Sequence, residues 1–378
     1  MRIGVLTFYW SQDNYGQLLQ AYALQRYLRE AGHDAFLIRY VGDFDRQAPP
    51  LLPRVLKAFN PLKLLRHIYG RYSQWQVSRA MAAHSRQFDD FRARYLRMSE
   101  RMYSHWPELR DDPPEADCYI VGSDQVWNFG GDEADIRLVR NMVHGYFLDF
   151  GPVDIPRLSY AASWSVHALP AALREEIRPL LARFGYISVR EQEGIDLCAQ
   201  CGRPDAVWVP DPTFLLTAEQ YREIYQQEGV TAPERPYVFL YMLNRSRTFP
   251  LEVVYDWARS RGLEVVLVTG NRLYTPREVS YLTIPEWLAY LDGASAVLTD
   301  SFHCTVFSSF FQRPYGVIPI EGVMEGMNTR IETLCSFTGQ PRRYVRTVED
   351  LHWLTEPVQP QMESNRDNLA QVLAGLKQ

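Results

Sequence analysis

Long hydrophobic runs are missing from this chain: none of its 378 residues lies in a stretch able to span a bilayer. The apolar run near the start, Ile3 to Trp10, is too short for a secretion signal and has no small-residue cleavage site behind it. A cytoplasmic location is therefore expected. Cysteine is scarce, with only Cys118, Cys198, Cys201, Cys304 and Cys335, all expected to be reduced thiols in that compartment. Cys198 and Cys201 form one C-x-x-C, but no second pair and no nearby histidine completes a zinc site, so the motif reads as a bystander on a helix. Neither H-x-H nor H-E-x-x-H spacing occurs, and no metal site is expected. The G-x-G-x-x-G of a dinucleotide site is lacking too. Excess charge of one sign is missing as well: a net charge of -5 with 22% charged residues argues against a nucleic-acid binder.

What is present is length, apolar content and aromatic side chains. A chain of 378 residues with 46% hydrophobic content exceeds what one core usually serves, so two domains are expected. Nine Trp and 23 Tyr are a generous supply. Aromatic faces fill cores and stack on sugar rings, so the enrichment is compatible with a carbohydrate ligand.

Residues 2 to 9 read as a buried strand, after which Leu18, Ala21, Leu24, Leu28 and Ala31 recur at helical spacing up to Gly32. Ala35 to Tyr40 is a second strand, completing a β-α-β unit whose first loop carries Asn14, Tyr15 and Gly16. Those three either cap and turn the chain or line a cleft between domains. From Arg54 to Arg101, eleven Lys or Arg face three acids, and the apolar residues among them make an amphipathic basic surface. This is read as a helical insertion at about 50–104, either a solvated hairpin or a surface for anionic headgroups.

Strands are expected again at 116–121, 146–150, 158–163, 186–191 and 206–210, with a helix over 171–184. The loops at their ends hold Ser123, Asp124, Trp127, Ser163, Arg190 and Glu191. Asp124 reads as a cap or a ligand, and Trp127 as core or a ligand. Arg190 closes an apolar strand and requires an anion, either a protein carboxylate or a bound one. At 211–216, D-P-T-F-L-L puts a capping acid and a proline between strand and helix signals, so a hinge is placed there. The expected division is 1–212, 213–345 and a helical tail, 346–378, whose last helix packs back on the first domain. Strands of the second domain are expected at 237–243, 264–268, 294–298 and 315–318, with helices near 251–261, 285–292 and 303–311 and one starting at Asn328.

The organising stretch is Val297 to Phe310, V-L-T-D-S-F-H-C-T-V-F-S-S-F, which reads as strand, turn and helix. In an open α/β sheet such a turn lies at the carboxyl end of a strand, where ligands bind, and the helix offers N–H groups to an anion. Asp300, Ser301 and Phe302 form the turn and His303 the first helical turn; the plain alternative is a cap followed by a hydrogen-bonded histidine.

Taken in order, N-Y-G-Q-L-L-Q-A-Y-A-L, V-G-S-D-Q-V-W-N, S-Y-A-A-S, I-S-V-R-E, D-P-T-F-L-L and D-S-F-H-C-T-V-F-S resemble the polysaccharide pyruvyl transferase family over roughly residues 1 to 340. The resemblance implies an α/β fold of two Rossmann-like domains facing across a cleft, as in B-type glycosyltransferases. It implies phosphoenolpyruvate as donor and a sugar or lipid-linked glycan as acceptor, with pyruvate attached as a ketal and no bound metal. His303 and Arg190 are then the expected catalytic residues. Asn14, Tyr15, Gly16, Ser123, Asp124, Trp127, Ser163, Glu191, Asp300, Ser301, Phe302 and Arg330 are the expected binding residues. One departure stands out: many members carry an arginine two residues before the motif histidine, where this chain has Ser301. Either Arg245, Arg313 or Arg330 substitutes, or the donor differs. The competing expectations are a nucleotide-sugar glycosyltransferase of the same fold and a non-catalytic glycan- or anion-binding protein. Because glycan precursors travel on lipid diphosphates, peripheral contact with anionic membrane is a further expectation.

Overall fold

The structure is a computed structural model that describes residues 1–42, 85–131, 134–243, 249–270, 277–320, 328–358 and 367–376. Residues 54–84 of the basic segment and Arg245 lie outside the described residues.

The first sheet contains β1 (Arg2–Leu6), β2 (Asp34–Tyr40), β3 (Met98–Tyr103), β4 (Cys118–Val121) and β5 (Arg157–Ser159), all parallel, in the order β3-β2-β1-β4-β5. This is the Rossmann order, reversing direction between β1 and β4. The continuous apolar reading of β4, Cys-Tyr-Ile-Val, follows from burial on both faces. β6 (Ser188–Val189) and β7 (Val207–Trp208) form a parallel pair, and bridges Leu158–Tyr186 and Ala162–Val189 join β6 to the end of β5.

The second sheet, β8 (Tyr237–Met242), β9 (Glu264–Thr269), β10 (Ala296–Thr299) and β11 (Tyr315–Val317), is also parallel and ordered β11-β10-β8-β9, reversing between β8 and β10. Helices separate the strands in both, so the α/β class with two Rossmann-like sheets is the observed one. Among the described residues no helix is long and apolar enough to cross a membrane.

Two expectations are corrected. Residues 146–150 are not a strand: the helix Ile136–Tyr146 runs into them, Phe147 N–H bonds back to Val143, and Leu148 turns the chain at a φ of 52°. Their aromatic run looked like a strand because it is buried, yet Arg157 claims the carbonyls of Leu148 and Phe150. The basic insertion also does not extend to 104. Phe88–Tyr95 is helical, and Met98–Tyr103 is the edge strand β3, paired with β2. With charges on its open side, such an edge lacks the alternation of a half-buried strand.

Tyr15 OH donates to the Leu282 carbonyl at 2.7 Å, and its ring stacks on Trp287 at 5.2 Å, tying the first helix, Tyr15–Glu30, to the helix Ile284–Gly293. One apolar cluster therefore runs from Leu18 through Tyr241 to Phe307, and Leu369 and Leu373 of the last helix are buried in it.

Candidate functional site

Both switch points open toward each other. After β1 the chain reaches Asn14, whose side chain accepts from Gln17 N–H and caps the first helix. After β4 come Ser123 and Asp124. Asp124 adopts a φ of 66°, a strained value for a non-glycine residue, and its two carboxylate oxygens accept from Gln125 N–H and the Gln17 side chain. After β10, Asp300 accepts from Leu243 N–H at 2.7 Å, closing the second switch point across the ends of β10 and β8. Ser301 then caps the helix Phe302–Phe310, its hydroxyl accepting from Cys304 N–H.

Asp211 holds the two sides together. Its Oδ2 accepts from Ser123 Oγ at 2.9 Å and Arg190 Nη1 at 2.9 Å, and lies 3.6 Å from His303 Nε2. Its Oδ1 accepts from both Thr213 N–H and Thr213 Oγ1, capping the 3-10 turn Pro212–Leu215. Burial raises the Asp211 carboxyl, but His303, Arg190 and the Thr213 N–H outweigh it and leave the group well below the usual carboxylate range. By its residue type and position, Asp211 reads only as a cap. Its signal was the Asp-Pro-Thr start of the motif; that it faces Arg190 and His303 is a tertiary fact.

Arg190 is almost fully buried, its Nε donating to Glu191 at 3.2 Å and its guanidinium 5.0 Å above the Phe302 ring. Its desolvated charge is offset by Glu191, Asp211 and Asp124, and the net effect raises its proton affinity. The Nη2 atom is buried without a hydrogen-bond partner, as are Glu191 Oε2 and His303 Nε2. Glu191 Oε1 also accepts from Ser163 Oγ, which in turn pairs with Ser165 Oγ at 2.8 Å.

A pocket opens beside these groups, with an empty volume of about 290 Å³ including its mouth. Arg190, Glu191, Asp211 and Arg330 line its polar end, and Trp208 and Phe337 stand on its apolar wall. Arg330 projects from the helix Thr329–Thr338, whose preceding Asn328 is clamped to both main-chain polar groups of Ile320. Burial first, then the Arg190 guanidinium, push Arg330 down to about 10. Of the arginines expected to replace the missing one at Ser301, Arg313 is instead engaged with Asp292 at 3.2 Å.

The structure thus gathers Ser123, Asp124, Ser163, Arg190, Glu191, Phe302, His303 and Arg330 around one centre. It does not do so for every expected residue. Trp127 is wholly buried, its Nε1 donating to Tyr146 and its ring stacked on Phe147 at 4.8 Å, and it belongs to the core. Tyr15 is wholly buried in the seam described above, and Asn14, Asp300 and Ser301 have their side chains engaged with main-chain N–H groups. Gly16 contributes space: a Cβ there would lie 2.1 Å from His303 Cγ. Trp208 and Phe337 were not expected; isolated aromatic residues carry no local signal of a pocket wall. Among the described residues no cluster of three His, Cys, Asp or Glu could hold a metal ion.

The sequence profile described as polysaccharide pyruvyl transferase matches residues 14–319, more than half of the chain. The chain belongs to that family. It is a transferase family, and the match takes in Asn14, Arg190, Asp211 and His303, while Arg330 lies beyond it. No curated protein matches significantly. The solved structures it matches are of low identity. The UDP-GlcNAc 2-epimerase of Neisseria meningitidis, bound to UDP-GlcNAc, is 10% identical with a TM-score of 0.49, covering 100% of this chain and 99% of that one. The corresponding enzyme of Methanocaldococcus jannaschii is 10% identical with a TM-score of 0.49, covering 99% and 100%. The wall teichoic acid polymerase TagF is 9% identical with a TM-score of 0.45, covering 100% and 88%.

Proposed function

We propose that this family member transfers the pyruvyl group of phosphoenolpyruvate to two hydroxyls of a sugar, forming a ketal on a cell-surface polysaccharide or its lipid-linked precursor. The observation that carries the reading is the pocket end where two buried guanidinium groups, Arg190 and Arg330, meet. Arg190 keeps one buried N–H without a partner, and Arg330 is held in a charge state that burial disfavours. An incoming carboxylate or phosphate accepts from Arg190 Nη2 and lies against the Arg330 charge.

The chemistry follows from the donor. A proton goes to the terminal methylene carbon, making it a methyl group, as one sugar hydroxyl bonds to the adjacent carbon and releases its own proton. The second hydroxyl then bonds to the same carbon as the carbon–oxygen bond to phosphate breaks, and its proton leaves with the departing phosphate. His303 is the proposed acid for the methylene carbon, with Glu191 or Asp124 as base for a hydroxyl. Arg330 takes the role of the arginine that Ser301 replaces. Trp208, on the apolar wall, offers a face for a sugar ring.

The test is phosphate release from phosphoenolpyruvate with a panel of glycan precursors, beside thermal shifts with phosphoenolpyruvate and with nucleotide sugars. Stabilisation and phosphate release with phosphoenolpyruvate alone support the reading. Stabilisation by nucleotide sugars alone replaces it with a glycosyltransferase, and stabilisation by glycans without turnover replaces it with a binding protein.

A further inference from the structure

We infer that Asp211 is a positioning residue, a buried anion that orients the His303 ring and shares its Oδ2 oxygen between His303 and Arg190. The inference rests on the proposed role of His303 as an acid, but its geometry stands apart from the choice of donor. Asp211 Oδ2 lies 3.6 Å from His303 Nε2 and 2.9 Å from Arg190 Nη1, and the Asp211 side chain is fully buried. Oδ1 is held by both Thr213 donors, which fixes the plane of the carboxylate and leaves Oδ2 aimed at the junction.

The ring is fixed from its other side. Gly16, at the start of the first helix, lies against His303 so closely that a Cβ would fall 2.1 Å from Cγ and 2.2 Å from Nδ1. The ring therefore cannot swing toward that helix, and Nε2 stays directed at Asp211. The charged groups around this pair are Arg190 and Glu191 after β6, Asp124 after β4, and Arg330 on the helix Thr329–Thr338. Arg190 competes with His303 for the same oxygen, and Ser123 Oγ donates to it as well. An anion close to a ring nitrogen favours the ring's protonated form by direct Coulomb attraction. Asp211 itself stays ionised, because His303, Arg190 and the Thr213 N–H together outweigh its burial.

The test is long-range proton–nitrogen NMR of the full chain labelled at histidine, with the His303 signals assigned by His303→Gln. Asp211→Asn keeps the shape of the side chain and removes its charge. The expected result is a His303 titration moved to lower pH by about one unit or more, with the other histidines unchanged. Ser123→Ala removes one competing donor from Oδ2 while leaving the charge, and should move the same titration the opposite way. If Asp211→Asn does not fold, the Ser123→Ala shift decides alone. A His303 titration unmoved by the folded variants overturns the inference and leaves Asp211 a structural partner of Arg190. Because this readout needs no substrate, it can fail while phosphoenolpyruvate turnover succeeds, and the reverse.

Discussion

Gly16 and His303 come from the two different sheets' connections, and a Cβ on Gly16 would fall 2.1 Å from Cγ of the His303 ring. The atoms in the way are the root of a buried ring, not the tip of a flexible side chain. Gly16→Ala should gain about 0.5–1 kcal/mol of helix propensity but lose about 1–3 kcal/mol to overpacking. The net expectation is a lower melting temperature and, from the displaced ring, turnover reduced by roughly 100-fold, as a misplacement of about 1 Å can cost. A variant as stable and active as the parent would mean the two helices separate freely.

His303→Ala should cut turnover by roughly 100- to 10,000-fold, the usual contribution of a placed acid. Phosphoenolpyruvate binding should change far less, because the proton is delivered only in the transition state. Steady-state kinetics beside calorimetric titration separate the two quantities. Turnover within a few-fold of the parent would move the acid to Glu191 or Asp124.

Arg330→Gln should abolish the thermal shift caused by phosphoenolpyruvate while costing the ligand-free protein less than Arg190→Ala does. Removing Arg190 strands Glu191 and Asp211 as buried anions, a loss on the order of 3–5 kcal/mol. Arg330, by contrast, carries a charge that burial and Arg190 already disfavour. Melting curves with and without ligand check both halves of this expectation.

Asp211 predicts the behaviour in acid. Its folded value lies below the unfolded one of about 3.9, so its contribution is fully present above that pH and is lost as the pH falls toward the folded value. The melting-temperature gap between the parent and Asp211→Asn should therefore be widest above about pH 5 and narrow steadily below about pH 4. A gap that stays constant down to pH 2 would show that the charge of Asp211 does not stabilise the fold.

The basic segment from Arg54 to Arg101 motivates a sedimentation experiment with anionic and neutral vesicles. Binding to anionic vesicles alone is expected at low salt, falling steeply as salt rises. Protein that stays in the supernatant under all conditions would leave the segment a solvated surface.

Much of the architecture was legible in the residues themselves. The apolar runs of β1, β4, β8 and β10 are buried on both faces and need no partner's identity to read as parallel strands. Asn14, Ser301 and Asp211 announced their caps by type and position, because a cap is a contact between residues two or three apart. The strand-turn-helix around His303 was local in the same sense.

What only the tertiary structure decided is which of these local features share a space. Trp127 and Trp208 look alike in sequence, yet one is sealed in the core and the other lines the pocket, since burial depends on packing far along the chain. β3 was hidden because an exposed edge strand takes its hydrogen bonds from β2 and buries little of its own. The meeting of Gly16, Asp211 and His303 could not be read either. It arises where two sheets turn their switch points toward each other, and no periodicity within one strand or helix records that distance.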